Sequence, residues 1–208
     1  MKKLAIIGAA ELGSLITHYV SDAKQFQVVG FYDDFKTGFF NELPILGKTQ
    51  QIENDFQNGI FDEIIIAIGY NYMPQRRQLF DVFSDKIPFA TIIHPSAYVD
   101  ASCKIGKGTI IFAGCVLDQF EEIGDNVLLN AGVCVAHHTS VGNHCFLAPR
   151  VALAGRIEIK EQCFIGIGAI IKDLIIVENN ATIGAGALVL KNIEANSTYF
   201  GSPAKKIN

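Results

Sequence analysis

From Ile93 to Val189 an aliphatic residue occupies every sixth position without interruption, passing through Ile105, Leu117, Leu129, Val141, Leu153, Ile165 and Val177. Neither an α-helix, with a period of about 3.6 residues, nor an alternating strand, with a period of about two, produces that spacing. Four residues after most of these aliphatics comes a second apolar or small side chain, as at Cys103, Thr109, Cys115, Val127, Val133, Thr139, Cys145, Val151, Cys163 and Ala169. Glu121 is the one charged residue in that slot. Gly106, Gly124, Gly142, Gly166 and Gly184 directly follow an aliphatic. A six-residue unit of short strand and turn buries its apolar side only by stacking on copies of itself. Three units close a triangular turn of eighteen residues, so each aliphatic lies over the one three units earlier, with backbone pairing between coils about 4.8 Å apart. The pattern predicts a coil of a little over five turns. Aliphatics fill it, small residues sit at its corners, and glycines take turn conformations that a Cβ would resist.

The first ninety-two residues follow another rule. Lys3 to Ile7 reads as a buried strand, Gly8-Ala9-Ala10-Glu11-Leu12-Gly13 as a glycine turn, and Leu15, Ile16 and Val20 as the apolar stripe of a helix. Gln27 to Tyr32 is a second strand ending at Asp33-Asp34, and Ile64 to Ile68 a third ending at Gly69-Tyr70-Asn71. Pro74 then opens a helix carrying Arg76 and Arg77. This predicts a small Rossmann-like α/β domain over 1–92, ahead of an all-β coil and tail over 93–208. Ligands of open parallel sheets bind at the carboxyl ends of the strands, which makes Gly8, Asp33 and Gly69 a candidate nucleotide edge. Ala10 stands where a dinucleotide fingerprint has its second glycine, so that fingerprint is weak. Asp33 and Asp34 fit a ribose or base contact and fit a solvated strand end equally.

Composition narrows the class. A net charge of −4 gives no general attraction for nucleic acid. Charged residues make up 18% and mean hydropathy is positive, which suggests apolar surface buried between subunits. No stretch reaches the roughly 18–20 apolar residues of a membrane span, and Glu11 breaks the only signal-like run, so a cytoplasmic protein is expected. With no CxxC pair, Cys103, Cys115, Cys134, Cys145 and Cys163 read as reduced core residues and not as ligands.

The hexad run resembles the hexapeptide-repeat acyltransferases, and that resemblance implies a left-handed parallel β-helix. With the α/β domain in front, joined through Ile93-His94-Pro95-Ser96-Ala97, the whole chain resembles the group of sialic-acid O-acetyltransferases and bacillosamine-pathway N-acetyltransferases. The resemblance implies an acetyl-CoA-dependent (or other acyl-CoA-dependent) acyltransferase without a metal. It would be a homotrimer with active sites between subunits, working on the amine of a UDP- or dTDP-linked 4-amino-4,6-dideoxy sugar in polysaccharide biosynthesis. O-acetylation of a sugar and a non-catalytic nucleotide-sugar scaffold are the alternatives.

Asn130 to Gly142 contains the one adjacent histidine pair, His137-His138. His137 is two residues past inward Val135, so its ring should face outward, and imidazole suits proton removal near neutrality. Gly155, one coil later, leaves room for a thioester and offers an amide to an oxyanion. The family carries an acid after its catalytic histidine. Here His138 takes that place, which leaves a backbone carbonyl, Asn130 or a neighbouring subunit to orient the base. Phe146 stands where some relatives have a further histidine. The resemblance also implies a nucleotide-sugar set of Gly8, Ala9, Ala10, Glu11, Leu12, Asp33, Asp34, Gly69, Asn71 and Arg76. For the acyl-CoA it implies Gly155, Ile167, Ala185, Lys205 and Lys206, the lysines lying in a terminal Gly201-Ser202-Pro203-Ala204-Lys205-Lys206 motif. His94 reads as a polar linker residue, and His18 and His144 as surface residues.

Overall fold

The computed structural model describes residues 1–22 and 25–207. The chain divides into two compact units, Met1–Ile92 and Ile93–Asn208.

In the first unit, β1 (Lys2–Ile7) leads to α1 (Glu11–Asp22), β2 (Phe26–Tyr32), the short β3 (Phe39–Phe40), β4 (Leu43–Gly47), α2 (Ile52–Gln57), β5 (Glu63–Ile66) and α3 (Met73–Phe83). The sheet order is β3-β4-β2-β1-β5, with every pairing parallel except β3 with β4. β1 lies between β2 and β5, and Leu4 to Ile7 are at most 1% exposed, which is why it reads as an unbroken apolar run and not as an alternation. A Cβ at Gly13 would sit 2.4 Å from the Gly8 carbonyl oxygen, so glycine lets α1 approach the end of β1. β5 ends at Ile66, two residues before the predicted end, although Ala67 still donates its amide to Ile7. The hairpin of β3 and β4, and α2, have no periodic signature and were not anticipated.

In the second unit the strands advance by eighteen residues per coil, as in Cys134 opposite Ala152 and Val135 opposite Leu153. The result is a left-handed parallel β-helix with three faces. The first carries Tyr98–Val99, Val116–Leu117, Cys134–Val135, Ala152–Leu153, Ile170–Ile171 and Leu188–Val189. The second carries Lys104–Ile105, Glu122–Ile123, Ser140–Val141, Glu158–Ile159 and Ile176–Val177. The third runs from Ile92–Ile93 to Thr198–Phe200 and ends on the antiparallel strand Lys205–Lys206. One continuous core holds the hexad aliphatics and the second-slot residues together. At about 25 cal/mol per Å², each buried Leu or Ile contributes roughly 1.5–3 kcal/mol.

Two details correct the expected turn chemistry. The hexad glycines are not left-handed; they are needed because adjacent coils touch. A Cβ at Gly124 would lie 2.9 Å from the Asn143 amide nitrogen, and one at Gly106 2.5 Å from the Gly124 backbone. The left-handed corners are held largely by other residues, among them Phe120, Asn126, His138, His144, Arg150 and Arg156. Second, the cysteines and threonines of the inner slot are more than small. Cys115, Cys145 and Cys163 donate their thiols to the carbonyls of Asn130, Lys160 and Glu178 at 3.0–3.1 Å, and the hydroxyls of Thr109 and Thr139 reach Gly124 and Ala154 the same way. Each closes the turn of the next coil, fifteen residues on.

Glu121 breaks this rule. It is fully buried inside the coil, its Oε1 has no hydrogen-bond partner among the described residues, and the Cys103 thiol lies 3.8 Å from its Oε2. Burial pushes its carboxyl up to about 7, against the opposing pull of the Asp118 backbone amide. The folded state therefore holds a proton that the unfolded chain releases near the ordinary carboxylate value, and stability falls as pH rises from about 4.5 through about 7. At about 1.4 kcal/mol per pKa unit the loss is of order 3 kcal/mol. Glu121→Val should raise the melting temperature at pH 8 far more than at pH 4.5. Equal effects at both pH values in thermal unfolding would rule this account out.

Candidate active site

His137 and His138 occupy the turn that leaves the first face after Cys134–Val135 and enters the second face at Ser140–Val141. The coil above and the coil below fix this turn. His138 donates its amide to the Gln119 carbonyl at 3.0 Å, and the His137 carbonyl accepts from the Arg156 amide at 3.0 Å. His138 adopts φ +59°, a left-handed conformation that histidine enters more readily than branched residues.

Both imidazoles are exposed. The His137 ring lies directly over Gly155: a Cβ at 155 would be 2.7 Å from its Cε1 and 2.8 Å from its Nε2. The φ of Gly155 lies outside the left-handed region, so the absent side chain is required for space and not for conformation. Among the described residues nothing accepts a hydrogen bond from the Gly155 amide. A ring nitrogen able to take a proton thus lies over a residue whose backbone amide is unclaimed, two groups that could serve attack on a carbonyl and oxyanion stabilisation. The two imidazoles meet through Nδ1 at 3.3 Å with their planes 84° apart, and the His138 ring packs on Phe120, centroids 5.1 Å apart.

The remaining β-helix candidates are dispersed. Ile167 and Ala185 are exposed on the turn from the third face into the first, whereas Gly155 is on the turn from the first into the second. Within one protomer the width of the first face separates them. Asn130 belongs to that same distant turn, where its Oδ1 accepts the Ala131 amide, so it does not orient His137 of its own chain. Lys205 and Lys206 are exposed on the terminal strand, Lys206 paired with Glu194 at 2.7 Å. Phe146 is buried on the third face, its ring 5.9 Å from that of Phe164. His144, expected at the surface, is 6% exposed, and its Nδ1 accepts from the Asn126 amide at 3.0 Å.

In the first unit the strand ends carry the expected edge. Gly8 has φ +110°, and a Cβ there would come 2.8 Å from the Ala67 carbonyl oxygen. The Ala9 amide donates to Asp33 Oδ2 at 3.0 Å, while Asp33 Oδ1 accepts from the amides of Phe35 and Lys36. Asp34 Oδ1 accepts from the Thr49 amide at 2.8 Å. Both carboxylates therefore brace the loop after β2. Ala10 and Glu11 are exposed at the start of α1, with Leu12 half-buried behind them; Gly69 is half-buried and Asn71 exposed just after β5. Arg76 departs from expectation: it is 1% exposed, so its guanidinium is withdrawn from any ligand. Lys36, Phe40 and Asn41, none singled out beforehand, line a hollow of about 510 Å³ with Ala10, Glu11 and Ser14. Lys36 donates to the Ala9 carbonyl and lies 4.9 Å above the Phe40 ring. The cation two residues past Asp34 was the available signal.

Among the described residues no group of three or more His, Cys, Asp or Glu side chains is placed to hold a metal, and no helix is long and apolar enough to cross a membrane. Residues 3–83 match the PglD N-terminal domain family. The whole chain superposes on the acetyltransferase domain of PglB from Neisseria gonorrhoeae, with 29% identity, full coverage of both chains and a TM-score of 0.93; that domain is also known in complex with acetyl coenzyme A. PerB from Caulobacter crescentus, in complex with CoA and GDP-perosamine, matches at 26% identity, 100% of this chain and 98% of that one, TM-score 0.90. WeeI from Acinetobacter baumannii matches at 25% identity over the full length of both chains, TM-score 0.87. A search of curated protein sequences finds no match. With its α/β unit, its hexapeptide coil and an imidazole seated on a glycine one coil away, the chain is similar over its full length to the acetyltransferase domain of PglB and to PerB, and its first unit matches the PglD N-terminal domain family.

Proposed function

We propose that this protein transfers an acetyl group from acetyl-CoA to the amine of a nucleotide-linked amino-deoxy sugar. The observation that carries this reading is the His137 ring held over Gly155, with the glycine amide unclaimed. The sugar nitrogen attacks the thioester carbonyl, His137 Nε2 takes the amine proton, and the Gly155 amide steadies the oxyanion. Collapse breaks the carbon–sulfur bond and releases the coenzyme A thiol and the N-acetylated sugar. The first unit holds the nucleotide, its phosphates near the start of α1, where backbone amides and the helix dipole favour anions.

The separation of Gly155 from Ile167 and Ala185 supports a homotrimer, in which one protomer's histidine corner meets the Ile167 and Ala185 corner of the next. The first face, which joins those corners, exposes Tyr98, Val116, Cys134 and Ile170, an apolar column suited to burial between copies. Lys205 serves the coenzyme phosphates. Thiols that donate to carbonyls throughout the coil suit a reducing cytoplasm, and the product is a building block for polysaccharide assembly.

Thiol release with acetyl-CoA should be rapid with one of the UDP-, dTDP- or GDP-linked 4-amino sugars and absent with free sialic acid. Turnover only with sialic acid would replace this reading by O-acetylation. The same sample should run as a trimer by light scattering, and a monomer that keeps full activity would remove the shared-site assignment.

A further inference from the structure

Given the acetyl transfer proposed above, what orients His137 remains to be assigned, because no carboxylate touches it. The atom it does touch is Nδ1 of His138, 3.3 Å from its own Nδ1. Only one of two facing imidazole nitrogens can donate, and the choice decides which tautomer the base adopts. If His137 carries its proton on Nδ1, its Nε2 holds the free lone pair beside Gly155, ready for the amine proton. If His138 donates instead, His137 Nε2 keeps a hydrogen and no base exists.

We propose that His138 is a positioning residue, a neutral acceptor whose Nδ1 lone pair holds the His137 Nδ1–H and so presents His137 Nε2 to the substrate. Its own placement is set by a left-handed backbone at φ +59° and by two contacts already described, an amide bonded to the Gln119 carbonyl and a ring packed at a tilt against Phe120. Phe120 offers no hydrogen-bonding group to compete for the ring nitrogens. The proton balance closes: the substrate proton arrives at His137 Nε2, the bond from His137 Nδ1–H to His138 Nδ1 persists, and the cation is later discharged to solvent or to the leaving thiolate. His138 thus supplies geometry without supplying a negative charge.

Two variants separate this role from simple packing. His138→Phe keeps a ring on Phe120 but removes the acceptor. His138→Asn places Oδ1 where Nδ1 stood and accepts a left-handed backbone. The expected result is that His138→Phe lowers kcat about 10- to 100-fold, the size of a misplaced catalytic group, with KM for both substrates unchanged. His138→Asn should recover most of that loss. In ¹⁵N NMR of the parent, His137 should show a protonated Nδ1 and a bare Nε2, a signature lost in His138→Phe. Full kcat in His138→Phe at an unchanged melting temperature overturns the assignment, as does a protonated Nε2 on His137 in the parent. If His137→Ala is inactive while His138→Phe is fully active, only the positioning role fails and the acetyl transfer stands.

Discussion

His137→Ala should lower turnover by about 10²- to 10⁴-fold, the usual worth of a positioned general base, while the melting temperature and the oligomeric state stay those of the parent. The ring is exposed and its loss opens no cavity in the coil, so the structural cost is small. Coenzyme A binding should survive, because in the proposed mechanism the thioester contacts the Gly155 corner and not the imidazole. Thiol release under saturating substrates measures the effect, and calorimetric titration with coenzyme A supplies the control. Turnover within tenfold of the parent would remove His137 as the base and with it the mechanism proposed above.

Gly155→Ala carries the second large effect, and its value lies in splitting activity from stability. The new methyl would stand 2.7 Å from His137 Cε1 and 2.8 Å from Nε2, so the ring must swing away. That movement is cheap because an exposed side chain gives way and no backbone is involved. Gly155 is not left-handed, and alanine there restricts the unfolded chain, which by itself is worth about 0.4–1 kcal/mol of added stability. The expected outcome is an equal or slightly higher melting temperature with kcat/KM reduced about 100-fold, the scale of a catalytic group displaced by about 1 Å. A fully active Gly155→Ala protein would show that the contact between ring and glycine has no part in catalysis. A protein that is inactive because it is unfolded would contradict the turn geometry itself.

Residue arithmetic brought much of this site within reach of the sequence. The six-residue period predicts the coil, and a step of eighteen from 137 reaches 155. The same step downward from His138 lands on Phe120, so the ring beneath the second histidine was available to the same reasoning. Asn130 was a plausible partner for His137 only while their distance along the chain stood in for distance in space; the triangular winding puts them on different corners. Arg76 shows the limit of motif reading in the first unit. An arginine two residues after a helix-opening proline at the strand edge reads as a nucleotide-sugar contact, yet this one is buried, and no local pattern separates those outcomes.

The sequence by itself determined the repeat, the interior, the α/β unit with three of its four parallel strands, and the histidine corner. These follow from local periodicity and from the requirement to bury apolar side chains every sixth residue. Only the tertiary structure decided that the hexad glycines serve close approach between coils, that Asp33 and Asp34 brace a loop, that Glu121 is sealed inside without a counterion, and that His138 is the group touching His137. Each of these depends on what a residue meets across a coil or a sheet. That partner is set by winding and register in three dimensions, which the order of residues along the chain does not record.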